Sequence, residues 1–218
     1  METITLDIET VPQTELSNIQ QHELDKKLER RFSGSSEPTT EEYESAKSLI
    51  MGTNPYFGEI VCIGLMKTTT DGKYDTIGLT GDEKDILSRF WKIVSGFRGL
   101  FISFNGLSFD VPWIIKRSMK HGLKATNQSF LNTKKFFKYP HWDVHVIMAD
   151  YDRFKGASLR LTCDHLGIPS PKEEEITAEN VSVAFKDGRI KEIKEYCLRD
   201  VQATYNAYLI SKNYTFIK

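Results

Sequence analysis

The chain has 218 residues, 39% of them hydrophobic and 27% charged, with a net charge of −1. That length suits one domain, 1–218, with a sizeable core, and the composition is that of an ordinary soluble globular chain. The balance excludes a global basic field for polyanions, though a local basic patch would still serve nucleic acid. Cys62, Cys163 and Cys197 form no C-x-x-C pair, which argues against a structural zinc site and a disulfide framework.

Thr3-Ile4-Thr5-Leu6-Asp7-Ile8-Glu9-Thr10 alternates polar and apolar residues and predicts a half-buried strand. Ile4, Leu6 and Ile8 share one face; Asp7 and Glu9 share the other. Paired carboxylates on a rigid strand repel, and a hard divalent cation is the cheapest neutraliser. An isolated D-x-E more often decorates a solvent face. Here Thr10-Val11-Pro12 stops the strand after Glu9, so both acids lie at its C-terminal end, where open α/β sheets hold ligands.

A polar stretch over 13–56 follows, with Leu24, Leu28 and Phe32 at helical spacing and a capping box at Thr39 and Glu42. It reads as a helical insertion beside the strand end. Ile60 to Met66 predicts a strand buried on both faces, and Asp71-Gly72 turns it into a hairpin with Tyr74 to Leu79. Asp82 to Phe97 is an amphipathic helix, Gly99 to Gly106 a buried strand and its turn, and Phe109 to Lys120 a helix. Trp142 to Met148 is a strand or a strand entering a short helix. Ser158 to Leu166 is a capped helix, Asn180 caps another, and Arg189 to Tyr214 is one long helix with Ile193, Cys197 and Val201 on its buried stripe. The order fits a mixed α/β sheet, an antiparallel meander followed by parallel strands, flanked by helices.

Two further acids fall where they can meet the first pair. The Asn105-Gly106 turn leads to Asp110 at a helix start, where an acid on its own account stabilises the helix dipole. In the last helix Tyr196 and Asp200 project together, one turn apart. Four carboxylates and a phenol match what two-metal phosphoryl transfer needs, with Mg²⁺ or Mn²⁺ suiting an all-oxygen site. Lys134-Lys135-Phe136-Phe137-Lys138-Tyr139 mixes cations with aromatics, as a single-strand track does and as amphipathic surface segments also do. Lys116, Arg117, Lys120 and Lys124 extend that patch if their helix faces the same groove.

Leu6-Asp7-Ile8-Glu9-Thr10, Phe104-Asn105-Gly106 through Phe109-Asp110, and Tyr196 through Asp200 together resemble the three exonuclease motifs of the DEDD superfamily. The chain looks most like the stand-alone 3′–5′ exonucleases related to the proofreading domain of family B DNA polymerases. Trp142-Asp143-Val144, Ser158-Leu159 and Leu166-Gly167-Ile168-Pro169 extend the resemblance, which leaves out the insertion. It implies an RNase H-like fold and release of nucleoside 5′-monophosphates from single-stranded or frayed DNA 3′ ends. It also implies two divalent cations. Asp7 would bridge them, Glu9 and Asp200 would sit on the nucleophile-side ion, and Asp110 would hold the other. Tyr196 would orient the attacking water, as in the tyrosine (DEDDy) subclass; the histidine subclass is rejected because Glu195 stands where it expects His. Thr10, Asn105, Phe109, Lys134 and Lys135 are the substrate-side candidates, and Asp143 is an acid of open role. The acidic loop from Pro169 to Glu175 would point away from a polyanion. An exoribonuclease of the same fold and a catalytically silent binding module are the alternatives. A cytoplasmic setting without a signal peptide or membrane span is expected; no protein partner is implied.

Overall fold

The computed structural model describes residues 1–34, 37–134, 137–152, 154–169, 176–177 and 180–214. Three strands, β1 (Thr3–Pro12), β2 (Gly58–Thr68) and β3 (Tyr74–Thr80), form an antiparallel meander. β4 (Leu100–Ser103) joins β1 in parallel, and β5 (His141–Asp143) joins β4. The five-stranded sheet runs β3-β2-β1-β4-β5, the mixed architecture that the element order predicts.

Helices cover both faces. Ile4, Leu6 and Ile8 of β1, with Ile63, Leu65 and Phe101, pack against α3 (Glu83–Val94) and α4 (Asp110–Lys120). The opposite face lies under α8 (Ile190–Ser211), which sets Cys197 and Ala207 against the sheet. β1 is therefore not half-buried as its alternation suggests. Thr3, Thr5 and Glu9, on the polar face, are buried too. The strand also runs on to Pro12, with an irregularity in its pairing with β2 between Glu9 and Thr10. Pairing with β4 stops at Thr5, so from Asp7 onward β1 has no strand neighbour on that side.

Glycines explain how close α8 comes. Gly64 and Gly78 face each other across β2 and β3. A Cβ on Gly64 would stand 2.8 Å from Cys197 Sγ, and one on Gly78 would run into Lys194 Cγ. Only residues without a side chain leave the helix room there.

The stretch after β1 is helical as expected. α1 (Asn18–Phe32) and α2 (Thr40–Gly52) each open on a capping box, Ser17 with Gln20 and Thr39 with Glu42. They share a small core of Leu24, Leu28, Ala46, Met51 and Phe57. The pair is tied to the strand end, where Thr10 Oγ1 donates to the Gly52 carbonyl at 2.6 Å and the Gln13 amide to the Phe57 carbonyl at 2.9 Å. The weakly patterned segment after α4 is pinned by Asn127, whose amide donates to the Val94 and Phe97 carbonyls, and by Phe130, which stacks edge-on against Phe90, Trp91 and Phe101. Such aromatic pairs contribute about 0.5–1.5 kcal/mol each beyond their buried area, enough to hold a segment without regular structure.

α5 (Val144–Met148), α6 (Leu159–Leu166) and α7 (Val181–Lys186) complete the chain. Ser158 caps α6 as predicted, but Asn180 makes no side-chain cap to α7; its Oδ1 accepts from the Thr177 amide instead. The acidic loop of 170–175 lies outside the described residues.

Candidate active site

The structure brings Asp7, Glu9, Asp110, Tyr196 and Asp200 to one place. Each of Asp110, Glu9 and Asp200 raises the pKa of the Asp7 carboxyl, and Asp200 and Asp110 act in the same way on Glu9. Three elements deliver them: the free end of β1, the first residue of α4, and the second and third turns of α8. Gly64 and Gly78 hold α8 close enough for Tyr196 and Asp200 to reach the strand.

The electrostatics are those of a site lacking its counter-charge. Burial is the largest influence on all four carboxyls and raises each of them. Asp110 rises to about 7, eased only by its own amide and that of Ile8, while Asp143 pushes it further up. Asp200 rises to about 6, eased by a hydrogen bond from the Tyr196 hydroxyl and by Arg199. The leading influences on Asp7, Glu9 and Asp110 include no basic side chain. The Tyr196 phenol is itself raised, first by burial and then by Asp200, Glu9 and Asp7, so it keeps its proton.

These residues fit divalent cations. Asp7, Glu9 and Cys197 each present a ligand atom within 4.8 Å of the others. Asp110 is only 3% exposed, yet its Oδ1 has no hydrogen-bond partner. An orphaned buried carboxylate oxygen beside three more acids is costly in a closed chain and satisfied by a cation. Asp7 keeps a partly exposed edge, which leaves the group open to solvent.

Asp143 has a definite task. Its Oδ1 accepts the Asn105 amide at 2.8 Å and the Val146 amide at 3.2 Å, and its Oδ2 accepts the Leu107 amide at 3.0 Å. The carboxylate thus clamps the turn that carries Asp110, in which Asn105 is left-handed at φ 61° and Gly106 has no room for a Cβ beside Ser103. It is a positioning residue.

The substrate-side candidates divide. Asn105 lines a cavity of about 810 Å³ together with Leu107, Phe137, His145 and Tyr151. Thr10 is engaged through its hydroxyl with α2, and the Phe109 ring rests on Trp113 at 5.7 Å. Lys134 is exposed; Lys135 and Phe136 lie outside the described residues. Arg117 does not belong to a basic patch. It is buried at 2% exposure, and its guanidinium grips Glu83 through Nε at 2.7 Å and Nη2 at 2.6 Å. The helical spacing Trp113, Ile114, Arg117, Ser118 puts Arg117 on the buried stripe, and that signal was available in the sequence. Gly64, Gly78 and the thiol of Cys197 carry no motif that marks them as part of a site.

The mixed sheet, its helical cover and the gathered acids define a nuclease-type α/β domain. Over residues 54–215 the chain matches the model of a family described as predicted 3′–5′ exonucleases related to the exonuclease domain of PolB, and it belongs to that family. It is accordingly a hydrolase of the 3′–5′ exonuclease kind, and domains of this kind use divalent metal ions. β1, with Asp7 and Glu9, precedes the matched range, so their place in the site rests on geometry. The fold is similar to that of the family B DNA polymerase of the hyperthermophilic archaeon Pyrobaculum calidifontis: TM-score 0.58, 16% identity, 94% of this chain and 23% of that one. The chain thus spans about a quarter of that polymerase's length. A product-bound exonuclease I aligns at a TM-score of 0.45 and 10% identity over 91% of this chain and 45% of the other. No curated protein matches.

Proposed function

We propose that the protein removes nucleotides from the 3′ end of single-stranded or frayed DNA, releasing nucleoside 5′-monophosphates, with Mg²⁺ or Mn²⁺ at a two-ion centre. The observation that carries this is the convergence of four carboxylates with no basic side chain among the leading influences on Asp7, Glu9 and Asp110. Bound divalent ions would supply Lewis-acid stabilisation of the phosphodiester and of the attacking water. Asp7, Glu9, Asp110 and Asp200 would hold the ions, with Asp7 as the shared ligand, Glu9 and Asp200 serving the nucleophile and Asp110 serving the leaving group. Tyr196 keeps its phenolic proton and its hydroxyl acts on Asp200, so it would be available to orient a water. On this reading the chain falls in the tyrosine subclass. Asp143 holds the Asp110 turn in register. The cavity beside that turn offers Phe137 and Tyr151 as aromatic faces for a single strand.

The test is degradation of matched 5′-labelled DNA and RNA oligonucleotides. Metal-dependent shortening of the DNA from its 3′ end, lost in Asp7→Ala, is the expected result. Metal-independent cleavage, or an active Asp7→Ala, contradicts the proposal. Faster loss of the RNA would reassign the substrate.

A further inference from the structure

The mechanism above leaves one group at the centre unused. Cys197 is fully buried, and its Sγ lies 3.5 Å from Asp7 Oδ2 and 3.5 Å from the Asp7 carbonyl oxygen. The thiol, Asp7 and Glu9 present ligand atoms all within 4.8 Å of one another. A tetrahedral ion with sulfur at about 2.3 Å and oxygen at about 2.1 Å holds those two ligands roughly 3.5 Å apart. That is the separation of Sγ and Oδ2 here. Asp110 adds the second observation, since its buried Oδ1 has no partner and its charge acts directly on Asp7.

We propose that Cys197 is a metal ligand for thiophilic divalent ions, so that Zn²⁺ or Cd²⁺ binds through Cys197, Asp7 and Glu9 in a mode closed to Mg²⁺. This rests on reading the carboxylates as a metal centre. Binding replaces the S–H bond with a sulfur–metal bond, and the proton leaves to solvent. Softness decides which ions use it: thiolate favours zinc and cadmium, whereas magnesium takes oxygen alone. Zinc bound this way would occupy Asp7 and Glu9 and exclude the hard ions, making it an inhibitor.

The test reads binding, not cleavage. In protein carrying Cys62→Ala and Cys163→Ala, Cys197 is the remaining thiol, because the chain has 3 cysteines. Titration with Cd²⁺ should produce the ultraviolet thiolate-to-cadmium charge-transfer band. Adding Cys197→Ala should abolish the band and weaken Cd²⁺ binding by at least about tenfold, the lower end of what losing even an outer partner costs. Mn²⁺ binding, followed by electron paramagnetic resonance, should stay unchanged. Should the triple variant fold poorly, Cys197→Ala alone must show the same selective loss of Cd²⁺ affinity. Absence of the band, or equal Cd²⁺ affinity with and without the thiol, while Mn²⁺ still binds, overturns the ligand assignment and leaves the carboxylate centre standing. Failure of Mn²⁺ to bind the unsubstituted protein overturns both.

Discussion

Glu83 and the Asp7, Glu9, Asp110, Asp200 group are both withdrawn from water, yet the chain treats them in opposite ways. Glu83 receives two bonds from Arg117, one from the Ile60 amide at 2.7 Å and a contact with His121 Nε2 at 2.6 Å. Burial raises its carboxyl, but those partners outweigh burial and hold it below the ordinary value of 4.5. At the sheet edge the acids face one another instead, and all four are raised. A protein able to build one fully satisfied buried carboxylate gathers four whose partners do not offset burial and mutual repulsion, where something outside the chain completes them. Unmet charge at one end of the sheet is the functional signature; met charge under α3 and α4 is structure.

Breaking the satisfied pair should give the largest effect. Arg117→Ala strands the Glu83 carboxylate and should cost about 3–5 kcal/mol of stability, read by denaturant unfolding. Breaking the unsatisfied group should do the reverse. Asp7→Ala should leave the apo protein at least as stable, because a buried repulsion is removed, while cleavage falls by about 10²–10³-fold, the scale of losing one preorganised electrostatic group. Equal stability losses in the two variants would erase the contrast.

A smaller effect tests the packing beneath the acids. Gly64→Ala puts a Cβ against Cys197 and Val201 and should cost about 1–3 kcal/mol, the range for overpacking. Activity should fall further than stability, because Tyr196 and Asp200 move with α8.

The most diagnostic effect is in pH. Asp110, at about 7 when folded against an ordinary 3.8, holds a proton that the unfolded chain releases. Its contribution is present below pH 4 and is lost as pH rises through 7, so stability of the metal-free protein falls across that window. Glu83 has the opposite sign. Its contribution is present above its ordinary value and is lost as pH falls through the depressed one. Asp110→Asn should reduce the neutral slope, to which Asp7, Glu9 and Asp200 also contribute, and leave the acid limb in place.

Much of this was legible in the sequence because it is local. Alternation, caps and turns give the order of elements along the chain, the helix pair after β1 and the candidate acids with Tyr196. What escaped depends on distant partners. Glu83 and Arg117 are 34 positions apart, and nothing in either neighbourhood names the other, although the α4 stripe marks Arg117 as buried. Alternation predicts β1 to be half-buried, but it reports polarity, not what packs above the polar face. α8 covers that face from 190 positions away. The sequence leaves the role of Asp143 open, and only the three amides it accepts show that it holds the Asp110 turn.

The central claim is that the sheet-edge acids await divalent cations. Thermal unfolding at pH 7.5, first with chelator and then with rising Mn²⁺, tests it most directly. The account predicts that Mn²⁺ raises Tm, by about 2.7 kcal/mol of stability at one hundred times its Kd, and that Asp7→Ala abolishes the rise. An unchanged Tm across the titration, or an equal rise in Asp7→Ala, would contradict it.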